Sequence, residues 1–153
     1  SSGQTTLLDK LGGTGWEKTK IKVKAHLRDI AAELLQLYAK RAELNRPSVD
    51  FDEIANNQFE RGFPFEETQD QLRAITDIQK DFASSKPMDR LVCGDVGFGK
   101  TEVSMRAAFQ VVQNKKQVAV LAPTTVLTFQ HLETFKKRFA GLNFDIRYLN
   151  RFV

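Results

Sequence analysis

The feature that most constrains this chain is the octapeptide Gly94-Asp95-Val96-Gly97-Phe98-Gly99-Lys100-Thr101, a complete G-x-x-x-x-G-K-[ST] pattern. In a chain of 153 residues it arises by chance about half a percent of the time. Each position has a separate physical reason. Gly94, Gly97 and Gly99 let the backbone curl so that successive N–H groups point inward and form a nest for phosphate oxygens. Asp95, Val96 and Phe98 lend that nest their backbone. A helix beginning at Lys100 adds the positive end of its dipole. Lys100 brings a mobile charge for the β- and γ-phosphates, and Thr101 a hydroxyl for Mg²⁺, which prefers oxygen ligands. The pattern predicts a strand, a phosphate-cradling turn and a helix, with Lys100 and Thr101 as the catalytic pair. It does not choose among ATPases, GTPases and kinases.

The surrounding sequence agrees with that grammar. Leu91-Val92-Cys93 is a short apolar run, and Cys93 reads as a small buried strand residue. Residues 100–113 form a helix with Val103, Ala107, Ala108, Val111 and Val112 inward. Gln117 to Ala122 is a second apolar strand broken by Pro123. Thr125 to Phe139 is a helix with Leu132, Phe135 and Phe139 on one side. Residues 144–148 alternate with period two, as a half-covered strand does. Alternating strands and helices imply right-handed crossovers and a parallel sheet. Upstream, Thr68 starts a further helix with Leu72, Ile75, Ile78 and Phe82 on its apolar face, and Gln71 stands where a capping box needs it. The predicted class is α/β: an incomplete parallel-sheet P-loop lobe of RecA type over residues 68–153, preceded by a long helix.

That helix occupies residues 16–46. It lacks Gly up to Ala42, is dense in Ala, Leu, Lys and Glu, and carries a stripe of Leu27, Ala31, Leu34 and Tyr38. Lys18, Lys20, Lys22, Lys24 and Arg28 make its first half basic. Its length predicts a connecting element, packing on another domain, or a core helix of this same domain. Residues 1–15, rich in Ser, Thr and Gly, read as a loop; residues 47–67 read as a linker ending in the aromatic Phe63-Pro64-Phe65. The net charge of +4 conceals net +3, −4 and +5 in successive thirds, a balance compatible with a polyanionic partner. No run reaches the ~18 apolar residues of a membrane span. One cysteine permits no internal disulfide, which fits a reducing cytoplasm. His26, His131 and Cys93 lie too far apart in sequence for metal-ligand spacing, and the two histidines read as surface or packing residues.

Several segments together resemble a known family. Phe63 to Gln71, Met88 through the P-loop to Val103, and Ala122-Pro123-Thr124-Thr125-Val126-Leu127 with Gln130-His131 are similar to the bacterial transcription-repair coupling factors. The RecG-type DNA translocases are close relatives. Leu11-Gly12-Gly13, Trp16 and the stretch Arg28 to Leu35 resemble the segment between that family's polymerase-interaction domain and its first motor domain. The resemblance implies a superfamily 2 motor that uses ATP and Mg²⁺ to move along double-stranded DNA, displaces stalled RNA polymerase and brings in excision-repair proteins. It implies that Gln71 reads adenine and Phe65 packs on its face. It also implies that Thr124, Thr125 and Gln130 touch the DNA backbone. The residues themselves leave two alternatives standing: Gln71 as half of a capping box, and Thr124 or Thr125 as a helix cap. The family often has Pro where Gln69 stands. Lys136, Lys137 and Arg138 read as a solvated face.

The superfamily's acidic strand end, Asp-Glu after an apolar run, does not follow the P-loop in this sequence, and Asp52-Glu53 precedes it. Three strands are few for a whole lobe, and no arginine finger from a second lobe is present. The expectation is therefore a fragment without appreciable turnover of its own. Rival readings are a RecG-like or other P-loop protein, and a non-catalytic coupling segment acting through residues 16–42.

Overall fold

The computed structural model describes residues 14–150. It contains five helices among them: α1 (Thr14–Glu43), α2 (Glu53–Arg61), α3 (Gln69–Ala83), α4 (Lys100–Gln113) and α5 (Thr125–Arg138). The loop expected at residues 1–15 lies outside the described residues except for Thr14 and Gly15, which open α1. The chain divides into two units at Leu44 and Asn45.

The first unit is α1. Its 30 residues span about 45 Å at the α-helical rise. None of them is buried, and Leu27, Leu34 and Tyr38 of the predicted stripe are exposed. Local terms support the helix, among them Thr19 Oγ1 donating to the Gly15 carbonyl and a Lys20–Glu17 pair at 2.8 Å. It ends at Glu43 rather than at residue 46: Arg46, before Pro47, is disfavoured in a helix, and its N–H goes instead to the Ser85 carbonyl at 2.7 Å.

The second unit is built around α4. Met105, Ala108 and Phe109 on one side of α4 join Phe59, Phe135 and Phe139 in an aromatic cluster. Phe59 and Phe109 stack with centroids 4.2 Å apart. On the other side, Val103 joins Val49, Ile78 and Phe82, with Ala107 and Val111 packed against them. Positions 103, 107 and 111 recur at four-residue spacing, so one helix serves two cores. The α3 boundaries follow the capping prediction, with Thr68 accepting from the Gln71 N–H at 3.2 Å and both halves of the box present. Helix α5 buries Leu132 and Phe135 and ends against Phe139, as predicted.

Two expectations change. The linker at 47–67 contains α2, started by Asp52 accepting from the Ala55 N–H at 3.0 Å and anchored by buried Phe59. No β-strand forms among the described residues, so the parallel sheet is absent from this structure. The physical reason lies in what a strand is. It has no internal hydrogen bonds and needs a neighbouring backbone about 4.8 Å away. The segment 91–93 is held through Val92 against the Val103 cluster, and 144–148 through Phe144 and Ile146 against the aromatic cluster. Among the described residues neither these segments nor 117–122 forms a strand ladder. The predicted alternation nevertheless survives: Phe144, Ile146 and Tyr148 are half-buried while Asp145 and Arg147 are exposed. Cys93 is exposed, not buried, because without a sheet it has no layer to lie under.

Candidate nucleotide site

The phosphate-cradle sequence adopts the curl its glycines allow. Gly97 and Gly99 have φ of 86° and 70°, the left-handed region that other residues enter at a cost. Gly99 caps α4, and its carbonyl accepts the Glu102 N–H at 2.9 Å. The Phe98 N–H turns back to the Asp95 carbonyl at 3.4 Å. Lys100 Nζ donates to the carbonyls of Gly94 and Asp95, both at 2.6 Å, so the ammonium caps the loop from its own side chain. Space beside Gly97 is open, with no atom within 4 Å of where a Cβ would stand. Val96 and Phe98 are exposed, and Thr101 is half-buried at the first turn of α4.

Gln71 meets this loop. Its Oε1 accepts from the Thr68 N–H at 2.8 Å, and its Nε2 donates to the Phe98 carbonyl at 2.9 Å. A Cβ on Gly99 would overlap the Gln71 amide. The structure thus joins Gln71 to Phe98 and Gly99, a contact that spacing alone does not indicate. Phe65 is exposed and meets Phe63 edge-on at 5.5 Å. Thr124 accepts from the Leu127 N–H at 3.2 Å and caps α5. Thr125 and Gln130 are exposed on α5, and no hydrogen bond among the described residues links these three to the loop.

A buried ionic network behind the loop went unread in the sequence. Glu102, next to Thr101, is 4% exposed. Its carboxylate accepts from Arg106 Nε at 3.0 Å and from Arg138 at 2.8 and 3.1 Å. Arg106 also pairs with Glu67, and with Glu60 at 3.5 Å. Burial works against the Arg106 charge, but the hydrogen bonds it donates to Glu102 and Glu67 outweigh it and hold the guanidinium more firmly protonated than usual. Arg138 stacks over the Phe59 ring at 3.9 Å and donates to the Phe59 carbonyl at 2.7 Å. The solvated face expected at 136–138 therefore holds for Lys136 and Lys137 and fails for Arg138. The only sequence signal was the four-residue spacing of Glu102 and Arg106.

Residues 68–151 match the DEAD/DEAH box helicase family. The chain is 52% identical over 151 residues to a transcription-repair-coupling factor of Haemophilus influenzae, covering 99% of this chain and 13% of that protein. It is 48% identical over 152 residues to the one of Bacillus subtilis, with 99% and 13% covered. A solved structure of RecG bound to a three-way DNA junction superposes with a TM-score of 0.65 at 31% identity, over 71% of this chain and 15% of that one. The chain thus spans about one eighth of the length of these curated relatives. A glycine-curled loop opening a helix, a capped glutamine helix laid against it and a match over more than half the residues agree: the chain belongs to the DEAD/DEAH box helicase family.

Proposed function

We propose that this chain is the connecting helix and nucleotide-binding part of an ATP-driven double-stranded DNA translocase of the transcription-repair-coupling kind. The carrying observation is the loop itself, where Lys100 Nζ lies 2.6 Å from two loop carbonyls and can exchange them for phosphate oxygens. Backbone amides of residues 94–99 and the N-terminus of α4 would take the phosphates. The Thr101 hydroxyl has no hydrogen bond to another described residue and would hold Mg²⁺, which would supply positive charge against bound phosphates. Gln71 would read adenine by exchanging its Phe98 and Thr68 bonds for the base edge, with Phe65 packing on the ring. Thr124, Thr125 and Gln130 would face the DNA backbone, which positions without reading sequence. RNA polymerase and excision-repair proteins would be partners of the whole motor, working in the cytoplasm. By itself the chain is proposed to bind nucleotide without appreciable turnover. The deciding experiment is calorimetric titration with ATP and GTP. Magnesium-dependent heat with ATP, weaker with GTP and lost in Lys100→Ala, is expected; base indifference, or an unchanged Lys100→Ala, overturns the reading.

A second role is favoured by α1, which exposes an apolar stripe and buries nothing. We propose that it relays partner binding to the motor.

A further inference from the structure

Glu102 stands one residue beyond Thr101, in the first turn of the helix whose N-terminus the nucleotide reading assigns to phosphate. A buried anion there opposes a polyanionic ligand, because little water screens it. The opposition is offset by Arg106 and Arg138, but unequally. Arg106 is shared among Glu102, Glu67 and Glu60, whereas the carboxylate that Arg138 meets is Glu102, through two bonds. The three carboxylates and two guanidiniums sum to one negative charge with Arg138 and to two without it. Arg138 is also fixed in place. Its guanidinium is sandwiched by the Phe59 ring and tied to the Phe59 carbonyl, and Gly62 leaves it room, since a Cβ there would come within 2.9 Å of Nη1. Stability alone does not account for such a network, since well-packed apolar residues often do as well.

We infer that Arg138, at the far end of α5, is a positioning residue for the nucleotide site: by holding and neutralising Glu102 it sets the preference for a triphosphate over a diphosphate. The inference rests on the reading of the loop as a nucleotide site. The extra phosphate makes ATP more sensitive than ADP to an uncompensated Glu102.

The test is calorimetric titration of the chain with Mg-ATP and Mg-ADP, alongside thermal unfolding. Arg138→Gln should weaken ATP about tenfold and ADP about threefold or less, whereas Arg138→Lys, which keeps the charge, should stay within about threefold for both. The double variant Glu102→Gln with Arg138→Gln should regain affinity for ATP, because the negative charge leaves with the positive one. A merely structural role would weaken ATP and ADP alike, so the change in their ratio, and its return in the double variant, is the discriminating readout. An unchanged ATP-to-ADP ratio in Arg138→Gln, or a double variant no better than the single, overturns the inference. If Arg138→Gln loses its cooperative transition, the lysine and double variants decide; loss of folding in both assigns the network to stability and overturns it as well. A wild-type chain that takes up no Mg-ATP overturns the nucleotide reading itself.

Discussion

Gln71 bonds Thr68 and Phe98 at once, accepting at 2.8 Å on Oε1 and donating at 2.9 Å from Nε2. One side chain therefore closes the capping box of α3 and ties that helix to the phosphate-cradle loop. A capping role leaves the amide nitrogen free for a second bond, so the cap and the loop contact do not compete. An adenine edge would compete with both. Gln71→Ala is expected to cost about 1 kcal/mol of stability. It should also reduce the preference for ATP over GTP in parallel titrations. Retained discrimination would show that the base is read elsewhere.

Gly99 and Gly141 both have φ near +75°, at 70° and 81°, but their surroundings differ. A Cβ on Gly141 meets nothing within 4 Å, whereas one on Gly99 runs into the Gln71 amide. Gly141→Ala should cost about 1 kcal/mol, the backbone penalty alone. Gly99→Ala should cost somewhat more in urea unfolding, because the Gln71 amide must swing aside and give up its bond to the Phe98 carbonyl. In a Gln71→Ala background the Gly99→Ala penalty should drop to the Gly141 level; equal penalties in both backgrounds would refute the contact.

Arg46 fastens the C-terminal end of α3. Its guanidinium donates to the carbonyls of Asp81 at 2.7 Å, Lys86 at 3.0 Å and Pro47 at 3.0 Å, with a longer reach to Phe82. The Asp81 and Phe82 carbonyls lie in the last turn of α3, where no i+4 donor follows; the Ser84 and Val49 N–H groups also reach them, at 3.1 and 2.9 Å. Arg46→Met removes the donors and keeps much of the stem, and is expected to cost about 2–3 kcal/mol by chemical denaturation. A loss below about 0.5 kcal/mol would mean that water replaces the guanidinium without penalty.

The Asp81 carboxyl is held below its ordinary value by the hydrogen bonds it accepts from Arg90, one of them at 2.6 Å, which outweigh the opposing effect of burial. A depressed folded-state value stabilises the fold above the unfolded value of about 3.9 and loses that stabilisation as pH falls through the folded value. Arg90 stays charged throughout this range. Stability should therefore decline on the acid side below about pH 4, and Arg90→Gln should flatten that part of the curve. An unaltered acid limb in Arg90→Gln would remove the pair from the account.

Local chemistry decided much of this chain before any folding. The G-x-x-x-x-G-K-T run specified a curl that favours glycine at 97 and 99. Thr68 and Gln71 marked a helix start by their own hydrogen bonds, and four-residue apolar spacing marked which side of α4 and α5 turns inward. These features are legible because cap, turn and periodicity are satisfied by neighbours in sequence. Helix α2 has a local start signal in the Asp52 cap, but its anchor is one buried ring, Phe59, whose partners Phe109 and Phe139 lie 50 and 80 residues away. Only tertiary structure decided that Gln71 reaches Phe98 and that Arg138 turns inward to Glu102. Each depends on bringing distant backbone or opposite charges together, and a buried charge is acceptable only where its partner arrives from elsewhere in the fold.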